Sequence, residues 1–415
     1  MAEPKQPFPR VFWVAIGLEV LERLAFYGVY VNLSVYLSDT VHLGPKEGGV
    51  LLGWFAAARA WLPVATGALS DRFGFRKSLT LSFVLYILSY SMLAALPTRI
   101  GAWVSVLAIA FAGAFLKPVI PAAVRRYSPK GREATGFSAF YASVNAGSVI
   151  GKTATKLVRT AFSLRATMVN SIVACAIALF VTIGLFFEPK AEAAKAPEGG
   201  EPPAEEAKKP PTFLESLREA GTDPRFVVFL VLVSGYYLLI EQFYQTFPVY
   251  VVRTLGKDAP REYITLINPL AIALLQVPVG WLTRKVPALV AMPLGILVGA
   301  GSMLLMGSFP TLLGACGSFF VFALAEMIYS PRYYEYVSSF APKGREGLYM
   351  GLALVPFGVG GLVGGVLSGR LIAAHLPEVG PLRPMSVWGT YAGIGVACAA
   401  ALFVFGLVAR PRRAA

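Results

Sequence analysis

Apolar residues run along this chain in long stretches separated by short polar joints, roughly 11–37, 48–70, 78–96, 101–125, 134–159, 164–187, 225–252, 260–282, 287–308, 311–337, 346–373 and 386–409. A helix needs about 20 apolar residues to cross the hydrocarbon core of a bilayer. The pattern therefore predicts twelve transmembrane helices. One interruption is longer. Glu188 to Pro224 is rich in Pro, Ala, Glu and Lys, without apolar periodicity before Phe213. That composition predicts a disordered linker. Within it, Thr212 followed by Glu215 resembles a capping box opening a short amphipathic helix. The expected organisation is an N-terminal six-helix bundle over 1–187, a cytoplasmic linker over 188–224 and a C-terminal six-helix bundle over 225–415.

Composition agrees. The chain has 415 residues, 56% hydrophobic and 14% charged, and a mean hydropathy of +0.63. Soluble domains carry about 25% charged residues. A net charge of +14 would suggest nucleic acid in a soluble chain. Here the cations gather in alternate joints: Arg72, Arg76 and Lys77; Arg125, Arg126, Lys130 and Arg132; Arg284 and Lys285; Lys343 and Arg345; and Arg410, Arg412 and Arg413. This is the positive-inside pattern, and it puts those joints in the cytoplasm. The other joints are poorer in cations, although Lys46, Arg99, Lys257 and Arg261 lie there. The first apolar run is too long for a signal-peptide core and lacks a small-residue cleavage site after it, so it reads as a retained helix. An integral multi-pass protein of the plasma (inner) membrane is expected, with both termini cytoplasmic. It should act as a monomer among membrane lipids and bind no nucleic acid. Cys175, Cys316 and Cys398 sit in apolar windows with no disulfide or metal spacing. His42 and His375 fall at helix ends or loops. No catalytic constellation stands out, and no enzyme is expected.

Charge inside the membrane changes the picture most. Glu19, Glu22 and Arg23 lie within the first apolar run. Each charge at that depth costs roughly 3 kcal/mol or more. At 3.6 residues per turn, Glu19, Glu22, Arg23, Phe26 and Tyr30 share one helix face, with Tyr27 at its edge. An ion pair that only fixes helix packing would leave one carboxylate over. A polar pathway through the membrane accounts for all three.

The two halves echo each other. Ser128-Pro-Lys-Gly-Arg-Glu133 follows the fourth span, and Ala341-Pro-Lys-Gly-Arg-Glu346 follows the tenth. The same displacement carries Pro118 onto Pro331. Two parallel six-helix repeats with a solute site between them near the midplane fit this arrangement.

Between the second and third spans, Gly67, Asp71, Arg72, Gly74 and Arg76 form a motif that resembles the signature gating loop of the major facilitator superfamily. That resemblance implies an all-α membrane fold of twelve helices in two six-helix bundles. More specifically, Glu19-x-x-Glu22-Arg23 followed by Tyr27-Gly28 resembles the proton-dependent oligopeptide transporter family (the peptide/nitrate transporter family). Leu24, Ala25, Asn32 and Leu33 are closer to its plant nitrate/peptide branch. Other matches follow in order: Pro63 before Gly67; Phe115-Leu-Lys117-Pro118; Gly136 through Tyr141 and Asn145 to Gly147; Tyr236-Tyr237 with Glu241-Gln242; Asn268-Pro269; and Glu326 with Ser330-Pro331. The resemblance implies a proton-linked network of Glu19, Glu22, Arg23 and Lys117, a gating and coupling role for Glu241, and contact of Glu326 with the amino group of a solute. It implies no cofactor beyond the proton as coupling ion. The chemistry is permissible, because burial disfavours a charged carboxylate and a neighbouring cation favours it.

Three positions depart from the family pattern. Tyr30 stands where an Arg often helps to hold a carboxylate. Ala60 replaces a second-helix Tyr and is preceded by Arg59, which suggests that the lost cation has moved to the neighbouring helix. The eleventh span has no Trp near the site. The fifth helix adds Asn145, Ser148, Lys152, Lys156 and Arg159 on one face, the last two close enough to the outer interface either to line a cavity or to snorkel. By half, Arg23, Arg59, Lys117, Lys152 and Lys156 stand against Glu19 and Glu22, while the second half offers Glu241 and Glu326 with no deep cation. Such a cavity suits a zwitterion, and its cation surplus also suits an anion. Tyr27, Tyr30, Tyr141, Tyr237, Asn268 and Ser330 complete the expected solute site with Arg59, Lys117, Asn145, Lys152 and Glu326.

The expected function is proton-coupled symport of di- or tripeptides or peptide-like small molecules by alternating access. Transport of anionic organic solutes on the same scaffold is the alternative, and a non-transporting membrane sensor a remote one.

Overall fold

A computed structural model describes residues 7–187, 223–341 and 346–408; the side chains of Ala68, Asp71, Ala134, Glu346, Gly347 and Leu348 are outside that description. The expected linker up to residue 222 with its Thr212–Glu215 cap, the Lys343–Arg345 joint and the tail from Arg410 lie outside the described residues.

The described chain is helical. In the first half α1 spans Arg10–Tyr30, α2 Leu33–Asp39, α3 Pro45–Phe73, α4 Phe75–Ala95, α5 Arg99–Tyr127, α6 Glu133–Ala161 and α7 Thr167–Leu185. In the second half α8 spans Pro224–Gln245, α9 Phe247–Thr254, α10 Arg261–Ile264, α11 Ile267–Thr283, α12 Ala288–Ser308, α13 Leu312–Phe340, α14 Glu346–Leu352, α15 Val355–His375 and α16 Pro384–Val408. Among the described residues, ten helices are long and apolar enough to cross a membrane. The two spans missing from that set are α1 and α6. They are long enough, at 21 and 29 residues, but they carry the embedded charges.

Four apolar runs that read as continuous are broken: α1/α2, α8/α9, α10/α11 and α14/α15. Proline accounts for three of the breaks. Pro248, Pro269 and Pro356 each sit in the first turn of the second piece, where the missing N–H removes a backbone bond back to the first piece.

Helices α1 and α3–α7 pack on one another, and α8 and α11–α16 do the same. Each group has its own apolar core, one drawn from Val11–Phe186 and the other from Phe226–Leu402 plus Val35. The repeat is visible at atomic detail. Thr98 caps α5 by accepting from the Gly101 N–H, and Thr311 caps α13 by accepting from the Gly314 N–H, each at 3.1 Å. Both helices run 29 residues and enclose the matching prolines Pro118 and Pro331.

The two groups meet chiefly along α3 and α15. A Cβ on Gly365 would lie 2.4 Å from the Gly49 carbonyl, and one on Gly49 would lie 2.3 Å from the Gly365 carbonyl. Small residues let membrane helices approach this closely. We expect Gly365→Val to destabilise the protein by about 2 kcal/mol or more through overpacking. Gly17→Val, where nothing lies within 4 Å, should change the melting temperature little. Equal shifts in detergent melts would contradict a tight seam.

Candidate functional site

The buried charges form three adjoining groups. In the first, Arg23 on α1 stands 3.0 Å from Glu19 and 2.5 Å from Glu22. Tyr86 of α4 donates its hydroxyl to Glu22 at 2.7 Å. Helix α6 presses on this segment because it presents glycine there: a Cβ on Gly147 would lie 2.5 Å from the Val20 carbonyl.

The second group bridges the two halves. Arg59 of α3 donates to Glu241 of α8 at 2.8 Å, and Tyr30 donates to the other oxygen of Glu241 at 2.7 Å. The Arg59 guanidinium also lies over the rings of Tyr30 and Phe26, at 4.8 and 5.3 Å. Phe26 carries Arg23 as well, at 5.6 Å, so one ring joins the first group to the second. Lys117 of α5 donates to the Arg59 carbonyl at 2.9 Å, and no carboxylate lies in ion-pair contact with it among the described residues. Three acids and three bases thus sit within one contiguous cluster, which is neutral when all six are ionised.

The third group closes one end. Arg159 of α6 holds Glu262 of α10 through two contacts, 2.6 and 3.1 Å, and donates to the Lys257 carbonyl at 2.9 Å. Asn32 donates to Glu262 at 3.0 Å and accepts from Arg261 at 2.5 Å. Among the described residues Lys156 reaches the Asp258 carbonyl, at 3.4 Å, and is half-buried. The fifth-helix cations are therefore divided. Arg159 neither lines a cavity nor snorkels, but ties the halves together. The expectation of no deep cation in the second half is also corrected. Arg261 is buried, with 2% of its surface exposed, because α10 folds inward over α6 and Asn32 rather than lying in a joint.

Between this closure and the central cluster lies Lys152, 1% exposed. It donates to the Thr265 carbonyl at 3.2 Å and lies 5.2 Å from the Tyr27 ring and 5.9 Å from the Tyr244 ring. Tyr244 stacks on Tyr30 with ring centres 4.4 Å apart. On the same face of α6, towards the joint that carries Arg72 and Lys77, Asn145 is exposed and Tyr141 is 65% exposed. Along α6 the contacts with the second half run from Lys152 to Arg159, and Tyr141 lies beyond them, exposed. A vestibule opens at the basic end and is shut at the other.

Across it, Glu326 of α13 accepts from Asn268 of α11 at 3.2 Å and has no cation in ion-pair contact among the described residues. Ser330 is half-buried one turn further along α13. Tyr237 is packed inside the second half against Tyr333 and Phe357, with ring centres 5.6 and 5.4 Å away, rather than standing free in the vestibule. The eleventh span lacks Trp, but Trp61 of α3 fills the space over Gly358 and donates to the Val355 carbonyl at 3.4 Å. In the gating loop, Gly74 has φ of 80°, a left-handed turn that glycine adopts without cost. Arg72 is exposed, Gly67 lies beside Pro118, and Arg76 binds the Ile183 carbonyl and covers the Phe187 ring. The side chain of Asp71 is outside the description.

Glu262, Arg261 and Tyr86 are absent from the sequence-based site. Glu262 is an acid in a joint of opposite placement to the basic ones, which is a weak signal. Its partner Arg159 is about a hundred residues away. Tyr86 carries no motif at all.

A family model described as Major Facilitator Superfamily matches residues 16–365 of this chain. Multidrug resistance protein MdtH of Shigella dysenteriae is 24% identical over 382 residues, covering 90% of each chain. The crystal structure of a POT family transporter in complex with a thioalcohol-conjugated peptide is similar with a TM-score of 0.77, at 18% identity and 96% coverage of each chain. The nucleoside transporter NupG is similar with a TM-score of 0.80, at 16% identity, over 95% of this chain and 98% of that one. At such identities the solved structures share the fold alone. With the family match spanning both halves and the membrane-length helices arranged in two bundles, this chain is an integral multi-pass membrane protein that belongs to the Major Facilitator Superfamily.

Proposed function

We propose that the protein is a proton-coupled symporter of di- and tripeptides or peptide-like solutes, of the proton-dependent oligopeptide transporter type. One observation carries this function: the contiguous cluster of Glu19, Glu22, Arg23, Lys117, Arg59 and Glu241, bridged between the bundles by the 2.8 Å Arg59–Glu241 pair. Alternating access requires the closed end to open. Arg59 and Glu241 belong to different bundles, so opening parts them. Glu241, parted from its cation, is then the acid that carries the coupling proton. Closure returns Arg59 and expels that proton to the vestibule side. Glu22 and Glu19 compete for Arg23, and Lys117 stands next to the pair as the cation that answers a change in their charge. Glu326, held by Asn268 and without an ion-pair partner among the described residues, receives the amino group of the solute. By the positive-inside rule the open vestibule faces the cytoplasm, as do both termini.

Drug export is the second function to weigh, because MdtH bears the name multidrug resistance protein. The two separate in reconstituted vesicles. An inward proton gradient should drive accumulation of labelled dialanine above equilibrium, and a protonophore should abolish it. Glu22→Gln should lose about tenfold or more of that gradient-driven uptake while keeping exchange of peptide across the membrane. Proton-driven movement of a lipophilic cation without any peptide uptake would establish export instead.

A further inference from the structure

The central cluster neutralises itself, and beside it Lys152 and Glu326 have no ion-pair partner among the described residues. Lys152 is 1% exposed, and among the described residues its hydrogen-bond partner is the Thr265 carbonyl at 3.2 Å, with the Tyr27 and Tyr244 rings around it. Glu326 on the opposite wall has Asn268 and, among the described residues, no cation in ion-pair contact. An ammonium held by one neutral oxygen and two aromatic faces is poorly compensated for a buried charge. Arg59, another cation suited to a solute carboxylate, is closed off by Glu241 and by the rings of Phe26 and Tyr30, and Lys117 is turned onto the Arg59 carbonyl within the neutral cluster. Lys152 also lies where the contact between the bundles ends, on the face of α6 that continues into the open vestibule at Asn145 and Tyr141.

We infer that Lys152 is the anion-binding group of the solute site, so that the transported molecule must carry a carboxylate placed to reach α6 while its amino group reaches Glu326. This deepens the proposed peptide function and rests on it for the amino end. The carboxylate end stands on Lys152 alone. Solutes with a blocked carboxyl group bind more weakly, because they bring no anion to the Lys152 ammonium. In the outward state the anion takes the place of the Thr265 carbonyl, and the bundles close over a neutralised pair.

The test uses purified full-length protein, with binding of dialanine, dialanine amide and glutarate followed by calorimetry and thermal shift. Wild type should bind dialanine at least about tenfold tighter than its amide. Lys152→Gln should remove that difference by weakening dialanine alone, and Lys152→Arg should restore it. Its ligand-free melting temperature should not fall, since a poorly compensated charge has been removed. A Lys152→Gln protein that melts lower and loses dialanine and amide binding equally would make Lys152 a structural tie to Thr265. Unchanged dialanine binding in Lys152→Gln would also overturn the inference. If wild type binds glutarate but not dialanine, the peptide function fails, and the inference stands only if Lys152→Gln loses glutarate. Wild type that binds neither carboxylate overturns it outright.

Discussion

Arg59→Ala will leave Glu241 as a buried carboxylate without its cation, and the protein will lose both stability and transport. The pair is well enclosed: the side chains are 12% and 1% exposed. Removing one partner of a buried pair costs about 3–5 kcal/mol. Detergent melts should therefore drop sharply for Arg59→Ala and less for Glu241→Gln, which keeps a neutral acceptor for Tyr30. The double replacement Arg59→Met with Glu241→Met should recover most of the stability, because no charge is left alone. It should not recover uptake driven by a proton gradient, which we expect to fall by about a hundredfold or more (about 2.7 kcal/mol). A double variant no more stable than Arg59→Ala would mean that packing, not charge, holds this bridge.

Glu262→Ala should shift the protein towards the state open at the opposite end. Arg159 and Glu262 have side chains 9% and 0% exposed. With Asn32 and Arg261 they join α2, α6 and α10 across the bundle boundary. Each of these bonds exists only while that end is shut, so its loss weighs on the closed state alone, and the population follows the difference. A cysteine at Leu37, beside the small space lined by Leu43 and Val249 at the closed end, reports the change. Its labelling by a membrane-impermeant maleimide should accelerate by about tenfold or more in Glu262→Ala. Glu262→Gln, which keeps the bond from Asn32, should fall between. Equal labelling in all three proteins would show that the glycine seam of α3 and α15 suffices for closure.

These two bridges mark the boundary of what a chain of letters discloses. Both glutamates are plain in the sequence, one inside a motif and one in a joint. Arg59 was legible as a displaced cation, because Tyr30 and Ala60 break a family pattern beside it. What it binds was not legible. A solute carboxylate and Glu241 are equally suitable partners for a guanidinium at that depth, and only the approach of α3 to α8 selects the second. Arg159 was open to two meanings for the same reason. Snorkelling, lining a cavity and pairing with a distant acid all demand the same residue at the same helix end.

Length, span positions and the internal repeat followed from the sequence alone. A bilayer imposes one requirement on every crossing segment, that about 20 residues satisfy their own backbone and face hydrocarbon, and this is a local property that the order of residues records directly. The breaks inside four spans were local too in three cases, where proline sits at the start of the second piece. The partners of the buried charges depended on tertiary structure. Coulomb attraction between two side chains depends on the gap between them in space, and residues 59 and 241, or 159 and 262, acquire a short gap only once two six-helix groups have been laid side by side along their glycines.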